Sequence, residues 1–400
     1  MDTISRSHVA VRRLALARLV SVTGGFAAQT ALMYRIYAIT GSTIWVTATA
    51  IASSTAVALT GLAGGLVSDR FDRRRVMVIS DLAGAACFVM LAVVRSPGPM
   101  VAVAFASAMA EAPFWPASDA AVPNLVAPAE LAWANGLLVS ATYVALGLGP
   151  LAGGVLVAAF GASVAFIVNA LSFVVSAVLV ARIEGRFSAE RDEHETADHR
   201  IGAGLALVVS DPVLRVLTAV ITLLWGAFGL FVVLDVPLAA AYHAGPVGYA
   251  TLTAVWGGTA FLGSRVAGRV LARIDERLAL TGGLLVVALT GASIALLPAF
   301  ALIVVVGGAG GLGQGVVMVA WRGMVQRGTP DRVRGRVFAA ADAFQETAFM
   351  VGMLAGGGMV GLVGVQPSYW APGAVVFLAA VAAWTLPRRT VVPVLGSGEA

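Results

Sequence analysis

Apolar blocks of about twenty residues, separated by brief polar, glycine or proline punctuation, run through this chain of 400 residues. A bilayer core about 30 Å thick is crossed by about 20 helical residues rising about 1.5 Å each. Backbone groups in lipid must be satisfied internally, and runs without period-two alternation suit helices rather than barrel strands. Apolar residues make up 59% of the chain, charged residues 12%, and the mean hydropathy is +0.91. The class these features predict is all-α membrane.

Spans are expected near residues 14–38, 44–67, 76–94, 100–122, 134–159 and 162–181, then near 213–236, 246–270, 278–297, 299–321, 337–365 and 368–386. The basic and then apolar N-terminal segment is long enough to span and leads straight into a second span, so it reads as an uncleaved helix.

Arginine placement sets the orientation. Arg6, Arg12 and Arg13 precede the first span, and Arg70, Arg73, Arg74 and Arg75 follow the second. Arg182, Arg186, Arg191 and Arg200 occupy the middle loop, Arg269, Arg273 and Arg277 follow span eight, and Arg327, Arg332, Arg334 and Arg336 follow span ten. Arg388 and Arg389 come after the last span. With an even number of spans all of these fall on one side, which predicts that both termini are cytoplasmic. Arg35 and Arg95 fall on the other side.

The charged stretch Glu184–Arg200 divides six spans from six and reads as a solvated linker. The expected organisation is an N-terminal bundle over 1–182, a linker over 183–212 whose Ile201–Val209 suits an interfacial helix, a C-terminal bundle over 213–386, and a tail over 387–400. The halves also look duplicated. At one offset of 203 residues, Gly65-x-x-x-Asp69-Arg70-Phe71-Asp72 lies over Gly268-x-x-x-Ala272-Arg273-Ile274-Asp275, and Leu151–Gly154 over the identical Leu354–Gly357. Parallel six-helix halves are one repeat plan of secondary transporters.

Several chemistries are excluded. The chain has no lysine, so it holds neither a Walker A lysine nor a Schiff-base lysine. Its one cysteine, Cys87, can form no disulfide within the chain. His8, His194, His199 and His243 show no paired metal-ligand spacing within a span, so neither a metal nor an enzyme is expected. The pI of 10.0 reads as a topology signal rather than a nucleic-acid footprint.

The turn Gly65-Leu66-Val67-Ser68-Asp69-Arg70-Phe71-Asp72-Arg73-Arg74-Arg75 resembles the loop between spans two and three of the major facilitator superfamily, G-x-x-x-D-[RK]-x-G-x-[RK]-[RK]. It departs only at Asp72, where aspartate also suits a tight turn. In this resemblance Gly65, Asp69, Arg70, Asp72, Arg74 and Arg75 form a conformational-gate loop whose arginines face inner-leaflet phosphates. The copy in the second half lacks its acid at Ala272, so the lock should be stronger in the first half. Gly147-Leu148-Gly149-Pro150-Leu151-Ala152-Gly153-Gly154 looks like the G-P-x-x-G-G core of the superfamily's drug–proton antiporters, although small-residue packing also explains Gly149, Pro150, Gly153 and Gly154. The run Pro116–Val126, with Leu131 and Asn135, and the run Val333–Phe338 resemble the branch of enterobactin-type siderophore exporters and macrolide efflux proteins.

The resemblance implies twelve transmembrane helices in two pseudo-symmetric bundles of the bacterial inner membrane. It implies export of a small lipophilic, drug-like or siderophore-like solute by alternating access. It further implies that a proton gradient supplies the energy without a cofactor, and that the protein works as a monomer whose partners are solute and lipid. An importer or uniporter of the same fold, or a non-transporting receptor, remains open.

An ionisable residue at the bilayer centre costs about 3 kcal/mol on insertion scales, so it generally faces a cavity and has a task. Glu111, near the middle of span four beside Pro113, Trp115 and Pro116, is the candidate proton carrier or cation-selecting group. Its repeat partner is Gln314. Glu346, in span eleven, is placed to complement it from the opposite half, and Gln29 and Asp235 complete the expected cavity set. Trp225 and Phe228, with Phe114 and Trp115, offer an aromatic wall. Asp119, Arg322, Arg336 and Asp342 are candidates for a cytoplasmic gate.

Overall fold

The computed structural model describes residues 3–127, 130–185, 187, 208–271, 274–329 and 331–387. Among them are thirteen α-helices and no strand. The first half holds α1 (Thr3–Thr40), α2 (Thr43–Arg70), α3 (Arg73–Val93), α4 (Pro97–Glu111), α5 (Phe114–Leu125), α6 (Leu131–Phe160) and α7 (Ala162–Ala181). The second holds α8 (Pro212–Ala241), α9 (Gly245–Leu271), α10 (Glu276–Ile294), α11 (Phe300–Gly328), α12 (Asp331–Val363) and α13 (Trp370–Trp384), with a 3₁₀ turn at Pro367–Tyr369 before α13. Nine of the described helical stretches are long and apolar enough to cross a membrane.

The expected fourth span is not one helix. It breaks between α4 and α5 at Ala112–Pro113, because Pro113 and Pro116 remove backbone donors from consecutive turns. Much of the linker, Glu184–Arg200 with most of Ile201–Val209, lies outside the described residues, as do 388–400. So do the side chains of Gly65, Asp69, Arg70 and Arg336, although their backbones are helical.

The duplication read from the sequence has structural counterparts. Asp72 caps α3, its carboxylate accepting from the Arg75 N–H at 3.0 Å, and Asp275 caps α10, accepting from the Arg277 N–H at 2.8 Å. A Cβ at Gly153 would run into Ala27 of α1 in its own half, and one at Gly356 would meet Leu230 of α8 in its own half. A Cβ at Gly154 would instead strike Ala250 of α9, and one at Gly357 would strike Thr47 of α2, each across the divide. The glycine pairs thus make one contact within a half and one between halves, twice over. Without side chains at these positions the helix backbones approach closely enough for dispersion to hold them, which is how helices associate in lipid.

Hydrogen bonds reinforce the seam between α2 and α12: Thr43 Oγ1 donates to the Gly357 carbonyl at 3.1 Å, and Thr47 Oγ1 to the Met353 carbonyl at 3.5 Å. A buried apolar cluster joins Met33, Ile36 and Val46 of the first half to Val233, Val236 and Met353 of the second. These contacts lie away from the arginine-rich turns. Tyr143 of α6 meets Phe261 of α9 further along the other seam, ring centroids 5.2 Å apart.

Candidate functional site

A cavity of about 710 Å³ opens in the first half. Its walls come from α1, α2, α3, α4, α5 and α7, and α12 of the second half contributes Glu346. The helix break puts Glu111 at the last residue of α4, and Phe114, Trp115 and Pro116 at the start of α5, all on the wall. Gln29 also lines it, so the structure brings Gln29, Glu111, Trp115 and Glu346 of the expected set together. Phe26, Phe88 and Phe173 supply further apolar surface. No basic side chain is among the described residues that line the cavity.

Two expected members lie elsewhere. Gln314 accepts a hydrogen bond from the Trp256 indole N–H. Asp235 accepts from the Tyr369 hydroxyl at 2.7 Å. Both belong to a packed ring cluster in the second half. Phe228 lies 6.0 Å from Phe349, Phe231 lies 5.4 Å from Trp256 and 5.8 Å from Tyr369, and Trp225 stands edge-on to Phe228 at 5.6 Å. Trp225 and Phe228 therefore pack against other rings instead of walling the cavity. Gln314 thus faces the ring cluster around Trp256 rather than the cavity.

Two residues of the site escaped the sequence reading. Asp81 of α3 lines the cavity at 2% exposure. It lies within two turns of the Arg73–Arg75 cluster, so its sequence position alone does not set it apart from the charges of that helix end. The stripe Asp81, Gly84, Phe88 at helical spacing was the available signal, since one face of α3 carries all three. Gly84 explains how α4 comes so near: a Cβ there would stand 3.3 Å from Glu111 Cγ and 3.3 Å from Phe173 Cε2. The other residue is Arg18 of α1, buried at 4% exposure. It donates to Asp119 Oδ1 at 2.6 Å and Ser118 Oγ at 3.0 Å, and its guanidinium lies 4.7 Å from the centroid of Trp115. Arg18 was hidden among arginines that read as topology signals.

Asp119 is thus held by Arg18. Arg322 lies within electrostatic range of Asp342, which also accepts from Gln345 Nε2 at 3.1 Å. Two arginines of this turn, Arg73 and Arg74, bond to the chain itself. Arg74 donates to the Gly185 carbonyl at 2.7 Å and Arg73 to the Phe187 carbonyl at 3.2 Å, while Arg74 stacks 4.7 Å from the Phe187 ring centroid. Asn124 adds a bond to the Phe187 carbonyl at 3.0 Å.

A sequence profile described as Major Facilitator Superfamily matches residues 14–236 and 216–399. The chain belongs to the major facilitator superfamily. It is similar to the multidrug efflux pump Tap of Mycolicibacterium fortuitum, 27% identical over 367 residues covering 87% of this chain and 88% of the relative. It is 26% identical to the protein of that name from Mycobacterium tuberculosis, over 85% of each chain. In fold it resembles a point mutant of the nucleoside transporter NupG, with TM-score 0.78, 12% identity, and coverage of 94% of this chain and 99% of that one. It also resembles a bacterial homologue of the lysosomal transporter Spinster in an inward-facing, unoccupied conformation, with TM-score 0.74, 15% identity, and coverage of 96% and 97%. The chain is accordingly a multi-pass transporter of the bacterial inner membrane, and not an enzyme.

Proposed function

We propose that this transporter exports a small lipophilic, drug-like solute in exchange for protons, with siderophore-like chelators as a second class in range. The observation that carries the reading is a cavity of about 710 Å³ on which Glu111 and Glu346, from opposite halves, both open. A carboxyl on each half gives protonation a way to bias the balance between two rocked states, which is what coupling requires. The names of the mycobacterial relatives support export of drugs. In this reading the chain crosses the membrane about twelve times, α4 and α5 together making one crossing, with both ends in the cytoplasm.

The proposed mechanism uses these contacts. With the outer seam shut by Gly154, Gly357 and the threonine bonds, solute enters from the cytoplasm and settles among Phe26, Phe88, Phe173 and Trp115. Arg18, pinned by Asp119, holds the Trp115 ring in the wall. Rocking about the two glycine seams exposes the same cavity to the outside, where protons reach the carboxyls and solute leaves. Everted vesicles test this: an imposed proton gradient should drive uptake of a fluorescent dye, and Glu111→Gln should abolish the dependence on the gradient while dye still binds. Coupling that survives in Glu111→Gln removes the residue from the role. Dye movement down an oppositely directed gradient would select an importer.

A further inference from the structure

Arg35 and Arg95 stand at the end of the molecule away from the arginine-rich turns. The connections at that end are residues 41–42, 94–96, 161, 242–244, 295–299 and 364–366, and none holds an acid. The acid closest to that end along its helix, Asp235, belongs to the second half and accepts from Tyr369. Among the described residues neither arginine forms an ion pair. Arg35 is nevertheless held in place. Its Nη1 donates to Ser163 Oγ at 2.9 Å and its Nη2 to the Val94 carbonyl at 2.9 Å, while Ser163 Oγ donates onward to the Ala92 carbonyl at 2.9 Å. The guanidinium also lies 5.8 Å from the centroid of Phe166. A guanidinium has five N–H donors, so these two bonds leave three. Arg95, which is exposed, lies within electrostatic range, so two like charges stand together with no carboxylate between them.

Beside Arg35 a second cavity, of about 270 Å³, opens among α1, α6 and α7. Tyr34, Arg35 and Ser163 give it polar atoms, and Ala38 and Phe160 give it apolar wall. A single water takes up about 30 Å³, so the space suits a larger group. Phe160 is 68% exposed, which in a membrane-spanning chain means that this wall faces acyl chains. A phosphate takes paired hydrogen bonds from a planar guanidinium, and basic pockets between membrane helices hold lipid headgroups. A soluble anion would satisfy the arginines and leave the apolar wall uncovered. We propose that Arg35, with Arg95 beside it, holds the phosphate of an anionic phospholipid in this cavity, with the lipid's chains running past Phe160. The lipid belongs to the leaflet opposite the arginine-rich turns. Every wall of the cavity comes from the first half, so the lipid stays with that bundle as the halves rock. The site is separate from the solute cavity and holds whatever solute is carried and in whichever direction.

Native mass spectrometry of the purified full-length protein in detergent tests the site without any transport assay. The protein is titrated with phosphatidylglycerol, and separately with a diacylglycerol of the same chains, which lacks the phosphate. The wild type should bind the first phosphatidylglycerol at least about tenfold more tightly than the diacylglycerol. Arg35→Gln should abolish that preference. Since Arg35 also ties α1 to α3 and α7, two further variants keep the test open if Arg35→Gln does not fold. Ala38→Trp fills the cavity from an exposed position and should weaken phosphatidylglycerol at least about tenfold. Arg95→Gln should weaken it about threefold, because an exposed charge is screened, and should leave the diacylglycerol unchanged. Glycerol phosphate, the soluble anion, should fail to displace the lipid at equal concentration. Equal binding of the two lipids by the wild type would overturn the proposal, as would unchanged phosphatidylglycerol affinity in both Ala38→Trp and Arg95→Gln. Displacement by glycerol phosphate would overturn it too, by making the cavity a site for a soluble anion.

Discussion

Replacing Gly357 by valine should tip the transporter towards its outward-open state. Gly357 sits on α12 where a Cβ would strike Thr47 of α2, and its carbonyl accepts from Thr43 Oγ1 at 3.1 Å. Overpacking a tight contact costs about 1–3 kcal/mol. Losing that hydrogen bond, with the weaker Thr47 bond at 3.5 Å strained as well, removes about 1 kcal/mol more. The closed outer seam thus loses about 2–4 kcal/mol relative to the open one, in which α2 and α12 have separated. At about 1.4 kcal/mol per factor of ten, an equilibrium standing at about 99:1 for the closed seam would fall to between about 3:1 and 1:9. Gln29, which lines the cavity, provides the reporter. In a Cys87→Ser background, Gln29→Cys in intact cells should react with an externally applied, membrane-impermeant maleimide at least about tenfold faster when Gly357→Val is present, following the population change. Gly358→Val is the control, because a Cβ at Gly358 meets nothing within 4 Å. If Gly357→Val gives a folded protein with unchanged labelling, the seam does not bear the load assigned to it.

Further expectations follow from the same contacts. Gly154→Val, which attacks the symmetry-related seam at Ala250, should raise external labelling in the same way. Asp72→Ala and Asp275→Ala should each lower stability by about 1 kcal/mol through loss of a helix cap, read as a fall in Tm, with unchanged Tm in both counting against the caps. Arg18→Ala should cost only about 1 kcal/mol, since the Asp119 side chain keeps 66% of its exposure. The same change should raise KM for an aromatic solute by freeing Trp115, and Arg18→Lys should restore stability better than KM because a lysine ammonium cannot stack flat. An unaltered KM in Arg18→Ala would separate Trp115 from solute binding. Arg74→Ala should raise amide hydrogen exchange around Gly185, and exchange at wild-type rate would mean the clamp is held by other contacts.

Glu111 was legible in the sequence because a carboxyl in the middle of an apolar run has one economical explanation, and the run itself gives its depth. The expected orientation rests on the sequence alone, because arginines mark a side of the membrane whatever the helices pack against. Asp81 and Arg18 were not legible, because each lies close to a cluster of topological arginines and only the arrival of a neighbouring helix gives it a partner. Gln314 and Asp235 show the reverse case. Their sequence positions suit a cavity, but ring packing around Trp256 and Tyr369 occupies the space they would face. The break at Ala112–Pro113 was signalled by its prolines, yet a proline kink and a helix stop look alike until the next helix is placed.

The ring cluster of the second half has a consequence for how a duplicated gene divides its labour. A doubled chain begins with two equivalent hollows, and a solute could lodge in either, or straddle both. Stacking Trp225, Phe228, Phe231 and Phe349 into one of them fills it with rings, and the cavity described above opens in the other. A guest there meets Asp81, Glu111 and rings on one flank and Glu346 on the other, so the two halves grip it unequally.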